Sequence, residues 1–168
     1  MQSNNLTWAL AYAKRGWYVF PIRYGTKDGQ LVSSWPSAAT IDPVKIRDWW
    51  TQWPDANIAM YPKRSGLLVV DVDPRNGGHI TMADLEANLG ALGRTCMQHT
   101  QGAGLHIVCR DPGFADKLRG KVDGVDFKHD GYIMLYPSVG PSGTYRWDRF
   151  DDPAELPQSW CQYLPQSA

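Results

Sequence analysis

The residues best equipped for chemistry are Asp71 and Asp73, at the end of the run Leu67-Leu68-Val69-Val70-Asp71-Val72-Asp73. An apolar strand leads straight into two carboxylates one residue apart. Side chains alternate along a strand, so Asp71 and Asp73 share a face while Val72 turns into the core. Two ionised carboxylates held that close repel each other, and something positive must offset the repulsion. Hard oxygen donors suit Mg²⁺ or Mn²⁺. The plainer alternative is a solvated strand end carrying ordinary acidic residues.

Two further segments carry polar groups of the right kind. In Thr100-Gln101-Gly102-Ala103-Gly104-Leu105-His106, a glycine turn runs into a strand bearing one histidine. Small residues such as Gly104 let backbone N–H groups come close to an anion, and His106 can donate a hydrogen bond to phosphate oxygens. The same stretch also reads as a hairpin turn followed by a half-buried His with a backbone partner. In Gly124-Val125-Asp126-Phe127-Lys128, Asp126 and Lys128 share a strand face. They are either a surface ion pair of little energetic weight or a third metal ligand beside a phosphate-binding cation.

These groups need elements to hold them. Leu6, Ala9, Leu10 and Ala13 recur at helical spacing, predicting a helix over about 5–15 that Gly16 ends. Asp42 and Pro43 have the chemistry of an N-cap and first helical residue. Ile46, Trp49, Trp50 and Trp53 then form one apolar stripe up to Pro54. A third helix is predicted after the Gly77-Gly78 turn, opened by Thr81 with Asp84 and carrying Met82, Leu85, Leu89 and Leu92. Strands are predicted at Trp17–Ile22, Ala56–Met60, Leu67–Val70, Arg94–His99, Leu105–Arg110, Gly124–Lys128, Tyr132–Tyr136 and Thr144–Trp147. Residues 23–40 carry no periodicity and read as a long loop of the kind that often serves function. Few helices among many strands point to an α+β protein.

Composition narrows the classes. At 168 residues, 43% hydrophobic and 20% charged, the chain is long and apolar enough for a core without disulfides. No apolar run approaches the ~20 residues of a membrane span, and the N-terminus has no basic leader followed by an apolar segment, so no membrane partner is expected. Seventeen basic residues balance seventeen acidic ones, so net charge does not argue for nucleic acid. The three cysteines, Cys96, Cys109 and Cys161, form no CxxC pair; a reducing, cytoplasmic setting is expected, with Cys109 packed as a small hydrophobe. The eight tryptophans are expected mainly to fill the core.

Taken in order, the segments resemble the prim-pol domain of plasmid and phage replication proteins, the bifunctional DNA primase/polymerase branch of the archaeo-eukaryotic primase superfamily. The matching residues are GWYVFP at 16–21; Ala39, Thr40, Asp42, Ile46, Trp49, Trp50, Pro54, Ala56, Asn57 and Ile58; GLLVVDVD at 66–73 with Gly77-Gly78; GAGLH at 102–106; GVDFK at 124–128; and YPS at 136–138. Gly104 stands where the superfamily often has a serine two before the histidine, and Tyr136 replaces the first proline of the usual Pro-Pro-Ser turn.

The resemblance implies an α+β primase catalytic core over 1–150, with an α/β lobe, a lobe resembling an RNA-recognition motif, and mixed sheets flanked by helices. Residues 151–168 would be a tail or the start of a linker to an absent accessory domain. It implies that Asp71, Asp73 and Asp126 hold two Mg²⁺ or Mn²⁺ ions and are the catalytic set. His106, Lys128 and Gly104 would contact the nucleotide. The implied activity is template-directed nucleotidyl transfer onto a primer 3′ end. Its partners would be DNA, nucleoside triphosphates and a helicase, supplied in trans or on a C-terminal domain. Two other classes compete: a non-catalytic nucleic-acid-binding replication module of the same fold, and a sugar-nucleotide transferase using the DxD for its metal.

Overall fold

The computed structural model describes residues 3–117 and 121–162, and the side chain of Cys161 lies outside what it describes. In chain order the helices are α1 (Asn4–Lys14), α2 (Trp35–Ala38), α3 (Pro43–Gln52), α4 (Pro62–Ser65) and α5 (Gly78–Leu89). The strands are β1 (Val19–Ile22), β2 (Asn57–Met60), β3 (Leu67–Val72), β4 (Cys96–His99), β5 (Leu105–Arg110), β6 (Lys121–Val122), β7 (Val125–Lys128), β8 (Ile133–Leu135), β9 (Val139–Gly140), β10 (Gly143–Thr144) and β11 (Arg146–Arg149). The class is α+β, as expected. The sheets are antiparallel rather than mixed: every pairing between these strands is antiparallel, and the described residues add one parallel bridge, Cys109 to Ala154.

Three sheets form. A small one has the order β1-β2-β8, a hairpin-like pair joins β9 and β10, and a large one has the order β11-β4-β5-β3-β7-β6. Strand β3 is central in the large sheet, which explains its unbroken apolar run. Its alternation divides the core in two. Leu67 and Val69 pack with the small sheet, α1 and α3, while Leu68, Val70 and Val72 pack on the other face against Met82 and Leu85 of α5. Leu156 and Trp160 are buried in this second cluster, beyond the expected end of the catalytic domain at 150. Cys109 is buried there as well.

Local chemistry sets the helix ends. The Ser3 hydroxyl accepts from the Leu6 N–H at 3.1 Å to open α1, and the Asp42 carboxylate accepts from the Val44 N–H at 2.9 Å to open α3. Ile46, Trp49 and Trp50 are the buried stripe of α3. Trp17, Trp50 and Trp160 are fully buried, so tryptophan does fill the core.

Helix α5 departs from expectation. It begins at Gly78 rather than at Thr81, and the Thr81 hydroxyl donates to the Asp123 carbonyl at 2.8 Å instead of capping the helix. The reason is a close backbone approach. A Cβ on Gly78 would stand 2.3 Å from the Gly124 carbonyl oxygen and 2.7 Å from that of Asp73. Gly124 is likewise a turn residue, not a strand residue: Asp123 (φ 39°) and Gly124 (φ 85°) make a two-residue hairpin between β6 and β7. Bare glycine backbone thus lets the start of α5 lie against the end of β3 and the β6–β7 turn. The long loop at 23–40 holds the short helix α2 and bridges to β1.

Candidate active site

One row of paired residues crosses the large sheet. In register, Gln98 faces His106, His106 faces Asp71, and Asp71 faces Asp126. Cβ atoms of directly opposed residues lie about 4.5–5.5 Å apart. The neighbouring row is Cys96, Val108, Val69 and Lys128. The sheet face that packs on the small sheet is therefore apolar at Val69 and Val108 and turns polar two residues further on. That polar end opens into a cleft of ≈ 920 Å³, a size typical of small-molecule sites, about 300–1,000 Å³. Asp71, Asp73, Gly104, His106, Asp126 and Lys128 all line it. Ile133 and Met134 of β8 close its other side, so the cleft lies between the two sheets.

The three carboxylates have different surroundings. Asp71 sits at the centre, its side chain 30% exposed, and among the described residues no hydrogen-bond donor reaches it; the nearest cationic-type nitrogen is His106 Nε2 at 3.7 Å. Burial holds its carboxyl above the ordinary value, Lys128 opposes the shift and Asp126 adds to it. Asp126 Oδ2 pairs with Lys128 Nζ at 2.9 Å. Asp73 is engaged by its own turn. It accepts from the Arg75 N–H at 3.0 Å, from Arg75 Nε at 3.1 Å and from Asn76 Nδ2 at 2.7 Å. The Arg75 hydrogen bond, above all, draws its carboxyl below the ordinary value.

His106 is buried, and burial, with Lys128 and Lys27 adding to it, lowers its pKa to about 3. Its ring stacks on Tyr145 at 6.2 Å between centroids. The Tyr145 hydroxyl, pushed up to about 12 by burial and by Asp71, also borders the cleft. Gly104 lies at the cleft wall for a steric reason: a Cβ there would be 2.7 Å from the Val72 carbonyl oxygen. The Gly104 N–H already donates to Thr100 Oγ1 at 3.1 Å.

Four lining or supporting residues escaped the sequence reading. Lys27 enters the cleft from the loop at 23–40. Its backbone is bolted down by Tyr132, whose hydroxyl donates to the Lys27 carbonyl at 2.8 Å, and by the buried Asn57, whose amide donates to the Thr26 carbonyl at 3.1 Å. Arg75 stands two residues past the DxD, a spacing that could have flagged it. Gln98 and Tyr145 carry no local signal: cross-strand register brings Gln98 to His106, and the link between β10 and β11 brings the Tyr145 ring to it.

Among the described residues, no group of three His, Cys, Asp or Glu side chains is arranged to hold a metal ion. Geometry accounts for this: Asp73 is drawn to Arg75 and Asn76, and Asp126 to Lys128. The donor set nonetheless fits a hard cation. Asp71 and Asp126 stand opposite each other in register, and Asp71 has no donor of its own.

No curated protein matches the sequence. A family model described as bifunctional DNA primase/polymerase, N-terminal, matches residues 9–159. Proteins of that family are generally DNA primases/polymerases; they use divalent metals and act on DNA and nucleotide substrates. The match takes in the whole row from Gln98 to Asp126 and almost all of the chain, and the chain belongs to the bifunctional DNA primase/polymerase family.

Proposed function

We propose that this chain is the catalytic domain of a template-directed nucleotidyltransferase that adds nucleotides to a primer 3′ end, in plasmid or phage replication in the cytoplasm, working with a helicase. The observation that carries the reading is the convergence of Asp71, His106 and the Asp126–Lys128 pair, from three segments far apart in sequence, on one sheet face in one cleft. Clustered carboxylates would repel DNA phosphate in a pure binding module. They make sense where divalent cations sit between protein and phosphate.

In this reading Asp71 and Asp126, with Asp73 once freed from Arg75, would hold two Mg²⁺ or Mn²⁺ ions, which would supply acidification of the primer 3′-hydroxyl and charge stabilisation on the leaving pyrophosphate. The chain's own groups do the rest. Lys27 and Lys128 neutralise the triphosphate from two sides of the cleft, and His106 donates to a phosphate oxygen. Gly104 keeps the wall at that point free of side-chain bulk. Released from Asp73, Arg75 is placed to pair with phosphate, for which a guanidinium fork is well matched.

The test is extension of a labelled primer on a DNA template with dNTPs and Mg²⁺ or Mn²⁺, comparing the unaltered chain with Asp71→Ala/Asp73→Ala. The double variant is expected to lose extension. Equal extension by both proteins refutes the assignment.

A further inference from the structure

We infer that Gln98 is a positioning residue that locks His106 in its Nε2–H tautomer, so that the cleft presents a neutral N–H donor to its ligand. The inference rests on the nucleotide-binding reading only for what that ligand is; the tautomer follows from the geometry alone.

The Gln98 side chain is fully buried. Two backbone groups of fixed polarity hold its amide. The Tyr136 N–H donates to Oε1 at 2.9 Å, and Nε2 donates to the Met134 carbonyl at 2.8 Å. Turning the amide over would set oxygen against oxygen at Met134 and nitrogen against nitrogen at Tyr136, two buried contacts without hydrogen bonds. The orientation is therefore settled. The –NH₂ group has a second hydrogen, and His106 Nδ1 stands 3.0 Å from Nε2. Nδ1 must accept that hydrogen, so the ring proton is on Nε2.

Nε2 faces the cleft, 3.7 Å from Asp71 Oδ1, beyond ordinary hydrogen-bond reach. Its hydrogen is available to an incoming phosphate oxygen. Gln98 also ties the two sheets together, since it lies on β4 while Met134 and Tyr136 belong to β8 and the turn after it. It thereby sets where the imidazole stands relative to the opposite wall of the cleft, while Tyr145 covers the ring's face.

The first test needs no variant. In the full chain labelled with ¹⁵N-imidazole histidine, without metal or nucleotide, long-range ¹H–¹⁵N correlation is expected to show His106 with a pyrrole-type Nε2 and a pyridine-type Nδ1. A protonated Nδ1 overturns the inference. The second test is a double-mutant cycle read as the Kd of a labelled dNTP with Mg²⁺. Gln98→Leu is expected to raise the Kd about tenfold, the weight of a hydrogen bond to a charged group. In a His106→Ala background it is expected to change nothing further, because Gln98 acts through His106. An equal penalty in both backgrounds marks a purely structural role and overturns the inference. If the unaltered chain binds no dNTP yet shows the Nε2–H form, the tautomer lock stands and the nucleotide reading falls.

Discussion

Asp71 and His106 stand directly opposite each other on antiparallel strands, 35 positions apart in sequence, with 3.7 Å between Oδ1 and Nε2. On the other side Asp71 faces Asp126. A half-buried carboxylate thus sits between a neutral imidazole and a second carboxylate. That arrangement is costly for the resting protein and useful for binding a cation.

The cost has a measurable sign. The folded protein holds the Asp71 proton to a higher pH than the unfolded chain does. Stability therefore falls as pH rises through the window just above the ordinary carboxylate pKa, and the ionised group remains a burden at neutral pH. Asp71→Asn is expected to melt about 2 °C higher than the unaltered protein in EDTA, to gain nothing from Mn²⁺, and to give no primer extension. Calorimetry with and without the metal checks this; a lower melting temperature in EDTA contradicts it.

His106 shifts in the opposite direction, from an ordinary value near 6.5 to about 3. Below pH 6.5 the unfolded chain takes up a proton that the buried ring refuses, so the His106 contribution to stability is lost as pH falls towards 3. Between pH 7 and pH 5 the loss is about 2 kcal/mol. In His106→Asn that share of the acid sensitivity disappears. Urea denaturation midpoints at the two pH values measure it, and an unchanged pH dependence in the variant would show that the ring titrates normally.

Arg75 occupies Asp73, and on the proposed reading a cation would have to displace it. It is an exposed ion pair, worth roughly 0.2–1 kcal/mol, so Arg75→Ala is expected to tighten Mn²⁺ binding by about 1.4- to 5-fold. If Arg75 also pairs with phosphate, the same variant raises the KM for dNTP. Titration calorimetry with Mn²⁺ separates the two effects. Weaker Mn²⁺ binding in the variant would show that Asp73 depends on Arg75 rather than being blocked by it.

Much of the site was legible in the linear chain, because strand alternation is a local rule. The period of two places Asp71 with Asp73 and Asp126 with Lys128 whatever the rest of the fold does, and the apolar run before Asp71 marks a central strand. Glycine at 77–78 signalled a turn but not what it was for, and Gly124 read as the first residue of a strand; the closeness of Gly78 to Gly124 is a contact between segments 46 residues apart. Which residues face Asp71, which amide orients His106, and that Lys27 reaches the cleft were decided only by tertiary structure. Cross-strand register is set by hydrogen bonds between segments distant in sequence, and a slip of one residue would turn the strand side chains of this row to the other face; Lys27 comes from a loop that Tyr132 and Asn57 hold over the cleft. Asp73 lies just past β3 and caps the turn that follows, so its engagement by Arg75 and Asn76, two and three residues on, is local, whereas what stands opposite Asp71 is not.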